Sequence, residues 1–365
     1  MSEFLSSFQK LSKESFFDKT EDKTESFAGY VSRNNLQEDH SSKSNKCRIL
    51  KTLLHGRCIY DCAYCRVCKN KNPLSLKPKE LSDYFLSMNK NGIYDGIFLS
   101  SGIPESVDST MQEIIETGER IRRGGFNGYI HLKILPGAAR SDIKAASEIA
   151  NRISLNIETT SKSRMSEIAS VKDYMCDILK RQDWIASEAP GRHTTQIVVG
   201  AAGEDDREII NCMSRLYKTT RPARIYFSPF RAQKYTPLEK QEDTKKWRTN
   251  RLYQTDYLIR EYHYRPEEFC SVLNEENFLT NTDPKILLAG NAERTDINIA
   301  GYFSLMRIPG VGKKGAGKIC RARKNGSIKD TGDLAHLNII LKKAHPYIIL
   351  GNKEYQSSIS DFLQT

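Results

Sequence analysis

Residues 47–65 read CRILKTLLHGRCIYDCAYC. The opening run, CRILKTLL (47–54), has the length and apolar character of a buried strand. Three cysteines follow directly, at Cys58, Cys62 and Cys65, and so stand on the loop at the C-terminal end of that strand. Five further runs of the same kind lie downstream: DGIFLSS (95–101), GYIHLKIL (128–135), RISLNIE (152–158), TQIVVGA (195–201) and ARIYFSPF (223–230). Stretches of helical period separate them. Pro78 to Asn89 carries a proline at its start, and Thr110 to Arg123 is apolar at Met111, Ile114, Ile115 and Ile121. Ser141 to Ala150 follows Gly137, and Asp205 to Tyr217 carries Ile209, Ile210, Met213 and Leu216. Strands alternating with helices of this length predict βαβ units and a parallel sheet. A doubly wound sheet and a partial barrel both satisfy the pattern, and both hold ligands at the C-terminal ends of the strands.

The chain has 365 residues, room for one large domain and a small one, and 38% of them are hydrophobic, as in a globular protein. No stretch approaches the roughly 18 consecutive apolar residues of a membrane span. Met1 to Lys10 lacks the basic head and apolar run of a secretory signal, so a cytoplasmic protein without a membrane partner is expected. In a reducing compartment, clustered thiols mean metal or redox chemistry rather than disulfides. Of nine cysteines, four fall between Cys58 and Cys68; Cys47, Cys176, Cys212, Cys270 and Cys320 are scattered singly and read as small buried hydrophobes. Three thiolates on one short loop can hold three irons of a 4Fe–4S cube and leave the fourth iron open to a small molecule. A structural zinc site would want four ligands, usually as two separated pairs. Cys68 can supply a fourth thiolate, in a ferredoxin-like spacing with Cys62 and Cys65, but the sequence holds no second distant pair.

The C-x-x-x-C-x-x-C loop, with Tyr64 before its last cysteine, resembles the signature of the radical S-adenosylmethionine (radical SAM) superfamily. That resemblance implies a partial (β/α)6 barrel, in agreement with the six runs. It also implies a 4Fe–4S cluster on Cys58, Cys62 and Cys65, and S-adenosylmethionine as a cofactor cleaved reductively to a 5′-deoxyadenosyl radical. The wider chain resembles a narrower group, radical SAM proteins assigned to DNA modification or repair and linked to a uracil-DNA glycosylase-like partner. The likeness is carried by GIFLSSGI (96–103), GYIHLKILPGA (128–138), SLNIE (154–158), TQIVVGAAGEDDREI (195–209), RLYQTDYLIREY (251–262) and RIPGVG (307–312), and covers most of the chain from Cys47 onward. Cys68 is an addition to the group's pattern, and the first forty residues lack further cysteines found in relatives.

Carried over by position, the superfamily's roles imply a set of cofactor contacts. Tyr64 lies beside the cluster. Ser100, Ser101 and Gly102 end the second strand, where the methionyl amine binds. Asn156 and Glu158 end the fourth, where polar side chains meet the ribose and the carboxylate. Gly200 on the fifth strand and Ser228 or Tyr226 on the sixth hold the adenine. An electron donor such as a flavodoxin or ferredoxin is implied as a partner. Two readings need no resemblance. A carboxylate closing an apolar strand is costly to bury unless paired, so Glu158 favours a polar ligand. His131 and Lys133 flank Leu132 and share a strand face, either as an internally paired interior or as ligand contacts.

The sequence divides into a polar lead-in (1–45), the barrel (46–235), a helical connector (236–290) and a small all-α module (291–365). Within the last, YFSLMRIPGVGKKGAGKICRAR (302–323) resembles a helix-hairpin-helix. Gly310 and Gly312 let the backbone approach a phosphate, and the amides opening the second helix face the anion. Lys313, Lys314 and Lys318, with Arg321, Arg323 and Lys324 nearby, add phosphate contacts that position a nucleic acid without reading its sequence. The chain's formal charge of +11 agrees. The expected function is thus a radical SAM enzyme of DNA modification or repair. A radical SAM enzyme acting on RNA or tRNA fits the same residues, as does a DNA-binding adaptor whose cluster is structural or redox-sensing.

Overall fold

The computed structural model describes residues 7–12, 48–70, 73–337 and 339–350. Cys47 and most of the polar lead-in lie outside the described residues. Residues 7–12 form a helical segment that buries Phe8 and Leu11, and the Ser12 hydroxyl donates to the Lys51 carbonyl at 3.1 Å. The lead-in therefore contributes a packed layer there.

The chain forms two units, Met1–Glu204 with Cys212–Thr249, and Asp205–Asn211 with Asn250–Thr365. These boundaries differ from those read off the sequence, and hydrogen bonds give the reason. Gln241 and Thr244 donate to the carbonyls of Gly200 and Val199, tying the start of the expected connector to the first unit. Arg251 donates to the Asn281 carbonyl and Lys285 to that of Val311, tying the rest to the second.

The first unit is built on six strands: β1 (Ile49–Leu53), β2 (Gly96–Ser100), β3 (Tyr129–Lys133), β4 (Arg152–Ser154), β5 (His193–Val199) and β6 (Arg224–Pro229). Every pairing is parallel and the spatial order is β1-β2-β3-β4-β5-β6. A doubly wound sheet reverses its order at a switch point, and this one does not. With crossovers of one hand, an unreversed order sends every helix to the same face. The result is an open half-barrel of the partial (β/α)6 type. Its helices are α1 (Pro78–Lys90), α2 (Val107–Arg123), α3 (Arg140–Ile149), α4 (Lys162–Ile168), α5 (Lys180–Glu188) and, from Cys212 on, α6 (Asp206–Thr219). α2 shows why the periodicity was readable: Ser106 caps its first turn by accepting from the Ser109 amide, and Met111, Ile114, Ile115 and Ile121 are all buried. The β4–β5 crossover, with α4, a π-helical segment Tyr174–Leu179 and α5, has no such clear stripe in the sequence.

The face free of helices is lined in layers. Low in it, Phe98 packs edge-on against His131 at 4.5 Å, and His131 Nε2 shares a hydrogen bond with Ser154 at 2.8 Å. Burial pushes the His131 pKa well below its ordinary value. The next layer toward the C-terminal ends, with Ser100 and Lys133, is polar and borders a cavity.

The second unit is helical apart from a two-residue parallel ladder, β7 (Thr295–Asp296) with β8 (Ile348–Ile349), among the described residues. It contains most of α7 (Lys246–Tyr262), then α8 (Pro284–Gly290), α9 (Tyr302–Arg307) and α10 (Lys313–Ala322). No helix of the described residues is long and apolar enough to cross a membrane.

Candidate active site

The cysteine loop leaves β1 at Leu53 and is pinned to its neighbours by main-chain bonds. Leu54 donates to the Ser100 carbonyl at 2.9 Å, Gly102 to that of His55 at 2.8 Å and Ile59 to that of Ile103 at 2.7 Å. Tyr60 reaches across to the Pro136 carbonyl at 2.9 Å, and the Asp61 carboxylate accepts from the Ser170 and Val171 amides. Gly102 has a packing duty as well. A Cβ there would lie 2.3 Å from the Arg57 carbonyl oxygen, so only glycine lets β2's end and the loop approach this closely.

Cys58, Cys62 and Cys65 line one wall of a cavity of about 520 Å³ at the strands' C-terminal ends. Burial pushes the Cys65 thiol up, and the charges of Cys62, Cys68 and Cys58 push it further; the thiols are thus within electrostatic reach of one another. Cys62 is likewise raised by burial, with Lys172 opposing. Cys68 also borders the cavity, but its thiol donates to the carbonyls of Cys65 at 3.0 Å and Cys62 at 3.5 Å. Among the described residues no three His, Cys, Asp or Glu side chains converge tightly enough to hold a single metal ion. A four-iron cube, with each thiolate on a separate iron, requires no such convergence, and the three-thiol donor set fits it.

The opposite wall is a chain of buried polar groups. Lys133 donates to the Asn156 side-chain oxygen Oδ1, and Asn156 Nδ2 donates to a Glu158 carboxylate oxygen at 3.4 Å. The other Glu158 oxygen lies 3.7 Å from Lys172 Nζ. Tyr64 hydrogen-bonds the same carboxylate; burial first and the Glu158 charge second push its phenol well up. The backbone aims Glu158 at some cost. The Ile157 and Glu158 amides both donate to the Gln196 carbonyl, a bulge that interrupts the β4–β5 ladder. Glu158 takes φ 64°, a left-handed conformation that costs a non-glycine residue about 1–3 kcal/mol. Burial works to lower the Lys172 pKa, but the charges of Cys62 and Glu158 outweigh it and hold the ammonium charged.

Of the residues expected at the site, Tyr64, Ser100, Ser101, Gly102, Asn156, Glu158 and Ser228 all border this cavity. Gly200 and Tyr226 do not. The Gly200 amide donates to Glu204 and its carbonyl accepts from Gln241, so that turn is a packing element at the end of β5. The Ser101 hydroxyl is partly committed, donating to the Gly102 carbonyl at 2.6 Å and accepting from the His55 amide at 3.2 Å. Lys172, Gln196, Arg231 and Asp243 border the cavity without having been anticipated. Gln196 was legible as an inward position of an apolar strand; Lys172 sits in an irregular turn without any sequence signal.

In the second unit, α9 and α10 are joined by a turn at 308–312. Gly310 has φ +80°, and a Cβ there would fall 2.6 Å from the Ile340 carbonyl oxygen. Gly312, with φ −103° and ψ −179°, is in extended backbone open to any residue. The conformational demand thus falls on Gly310 alone. Lys313 forms an ion pair with Glu261, so its charge is already matched within the unit. Lys314 is exposed and Lys318 half-buried, both on α10.

No protein-family model matches the chain, and no curated protein matches it. Among solved structures it is similar to the FeFe-hydrogenase maturase HydG from Carboxydothermus hydrogenoformans, with 15% identity over 58% of this chain and 51% of that one, at a TM-score of 0.48. It is similar also to methylornithine synthase, PylB, with 16% identity over 58% and 63% and a TM-score of 0.49. Streptococcus suis SuiB bound to S-adenosylmethionine matches with 14% identity over 58% and 48% and a TM-score of 0.45. Each match spans less than two thirds of the matched protein's length.

Proposed function

We propose that this chain is a radical SAM enzyme that modifies or repairs DNA. The observation that carries the enzymatic part is one cavity at the strand ends with three loop cysteines on one wall and a buried Lys133–Asn156–Glu158–Lys172 chain on the other. Cys58, Cys62 and Cys65 would hold a 4Fe–4S cluster, which when bound supplies one electron, received from a flavodoxin- or ferredoxin-like donor, to the sulfonium of S-adenosylmethionine. The chain's own groups do the rest. The strained Glu158 carboxylate presents an acceptor for an amine or ribose hydroxyl, and Ser100, Gln196 and Ser228 offer further polar contacts. Asn156 and Lys172 hold that carboxylate in place, so little reorganises when the ligand enters. Tyr60 and Leu135 help wall the cavity with apolar surface, which excludes water from a reactive centre.

The nucleic-acid part rests on the second unit: a glycine turn opening α10, with Lys314 and Lys318 on that helix, supports a phosphate-binding hairpin. The likeness of the sequence to DNA modification and repair proteins selects DNA over RNA and brings a uracil-DNA glycosylase-like protein as a partner. Anaerobically reconstituted, reduced protein should convert S-adenosylmethionine to 5′-deoxyadenosine and leave an altered nucleoside in duplex DNA, seen by mass spectrometry after digestion. An altered nucleoside in RNA alone would replace DNA as the substrate. Failure to form 5′-deoxyadenosine from iron-loaded protein would leave a DNA-binding adaptor with a structural or redox-sensing cluster.

A further inference from the structure

A group of rings in the second unit has no part in the function proposed above. Phe303 is 59% exposed, Tyr257 46% and Tyr302 37%, unusual values for large aromatic side chains gathered in one place. The Phe303 ring lies edge-on at 5.5 Å from Tyr302 and 5.5 Å from His263, which is exposed as well. Tyr302 donates to the Lys313 carbonyl at 3.3 Å, so the rings adjoin the first turn of α10. Tyr257 packs 5.5 Å from Tyr262 on α7, and Glu261 of the same helix is ion-paired with Lys313, which brings that end of α7 to the same first turn of α10. The patch is electropositive. Arg260 bridges two acids, Asp256 at 3.0 Å and Glu261 at 3.1 Å, and Glu261 also pairs with Lys313, while Lys314, Lys318 and Arg321 follow on α10 and leave the cations in excess.

Rings and cations in alternation suit a partner that carries flat apolar faces and negative charge together. Nucleic acid does, but a duplex hides its base faces within the stack. A second copy of this chain would set like charges against each other across a two-fold contact. We propose that this face binds single-stranded DNA. Unpaired bases stack on Phe303, Tyr302 and Tyr257, and their phosphates meet the lysines of α10. This deepens the reading of the unit as a DNA-binding module and rests on it.

The test is fluorescence anisotropy of the full-length protein with a labelled oligothymidylate, and separately with a labelled blunt duplex, across a salt series. Wild type should bind the single strand at least as tightly as the duplex. Phe303→Ala should weaken single-strand binding about tenfold while leaving duplex binding within twofold, because one stacking partner is lost and no phosphate contact changes. Phe303→Trp should restore it, which a folding defect would not allow. Four results would overturn the proposal. Duplex binding without single-strand binding would refute it and leave the duplex reading standing. Loss of both in wild type would remove the DNA reading itself. Unchanged single-strand affinity in Phe303→Ala would return the rings to a protein partner. Wild-type self-association lost in that variant, measured by sedimentation without DNA, would assign the face to a second copy.

Discussion

Lysines do opposite things in the two units. In the half-barrel, Lys133 and Lys172 have lost most contact with water and are held by Asn156, Glu158 and Cys62 in one connected chain. In the second unit, Lys313 and Lys314 stand at the surface, where Lys313 is ion-paired with Glu261. A buried ammonium must be paired to be tolerated, and once paired it fixes its neighbours in place. An exposed one keeps its hydration, is screened by salt, and gives adhesion rather than orientation. Under the proposed function, the first unit's lysines would orient a small ligand and the second's would attract a polyanion. Four measurements break or sharpen that contrast.

The largest effect is expected at the cysteines. Serine at Cys58, Cys62 or Cys65 should abolish iron uptake and the visible absorbance of reconstituted protein. Alanine at Cys68 should retain both, because its thiol is engaged with main-chain carbonyls. Equal loss at Cys68 would mean that all four thiolates bind iron, and the open coordination position would be gone.

Next comes the buried pair. Lys172→Met leaves the Glu158 carboxylate with one fewer partner in a dry site, and removing one member of such a pair costs about 3–5 kcal/mol. Urea unfolding of the metal-free protein should show this, and adding Glu158→Gln should recover part of it. An effect below about 1 kcal/mol would place Lys172 among the screened surface lysines instead.

A third test uses Lys285, a half-buried lysine of the second unit. Burial lowers its pKa to about 8, with Asp283 partly opposing, and its ammonium lies 4.6 Å from the Tyr262 ring centre. Between about pH 8 and its ordinary 10.5, the unfolded chain holds a proton that the folded chain has released. Stability contributed by this group thus rises with pH across that window, by on the order of 1–3 kcal/mol. Wild type should gain stability relative to Lys285→Met between pH 7.5 and 10 in denaturant titrations. A constant difference would contradict it.

The smallest effect separates two lysines of α10. Lys318→Ala should lower duplex affinity and reduce the salt slope by about one. Lys313→Ala should change the slope by less, because Glu261 already matches its charge. The reverse order would show that DNA displaces Glu261.

Gly102 shows how a position can be found for one reason and kept for two. The resemblance placed it at the methionyl amine; the structure adds that its missing side chain lets β2 seat the cysteine loop. Gly102→Val should therefore lower iron content as well as cofactor affinity, since overpacking against main chain costs at least about 1–3 kcal/mol.

All six strands were legible, because strands covered on both faces of a parallel sheet read as near-continuous apolar runs, broken here only where residues such as Lys133 and Gln196 face the cavity. So was the cysteine loop, because cluster chemistry needs thiolates at short spacing on one loop. The hidden features arise from contacts distant in sequence. The bulge that turns Glu158 into the cavity is made by the Gln196 carbonyl. Lys172 reaches Cys62 across 110 residues of chain whose spacing follows no period. Lys313 is neutralised by Glu261, a residue in another helix. Local composition determined which segments are buried and which carry thiols, since burial and chemistry act residue by residue. Which charges meet, and whether in water or out of it, was decided only by the fold, because a pairing depends on distance in space.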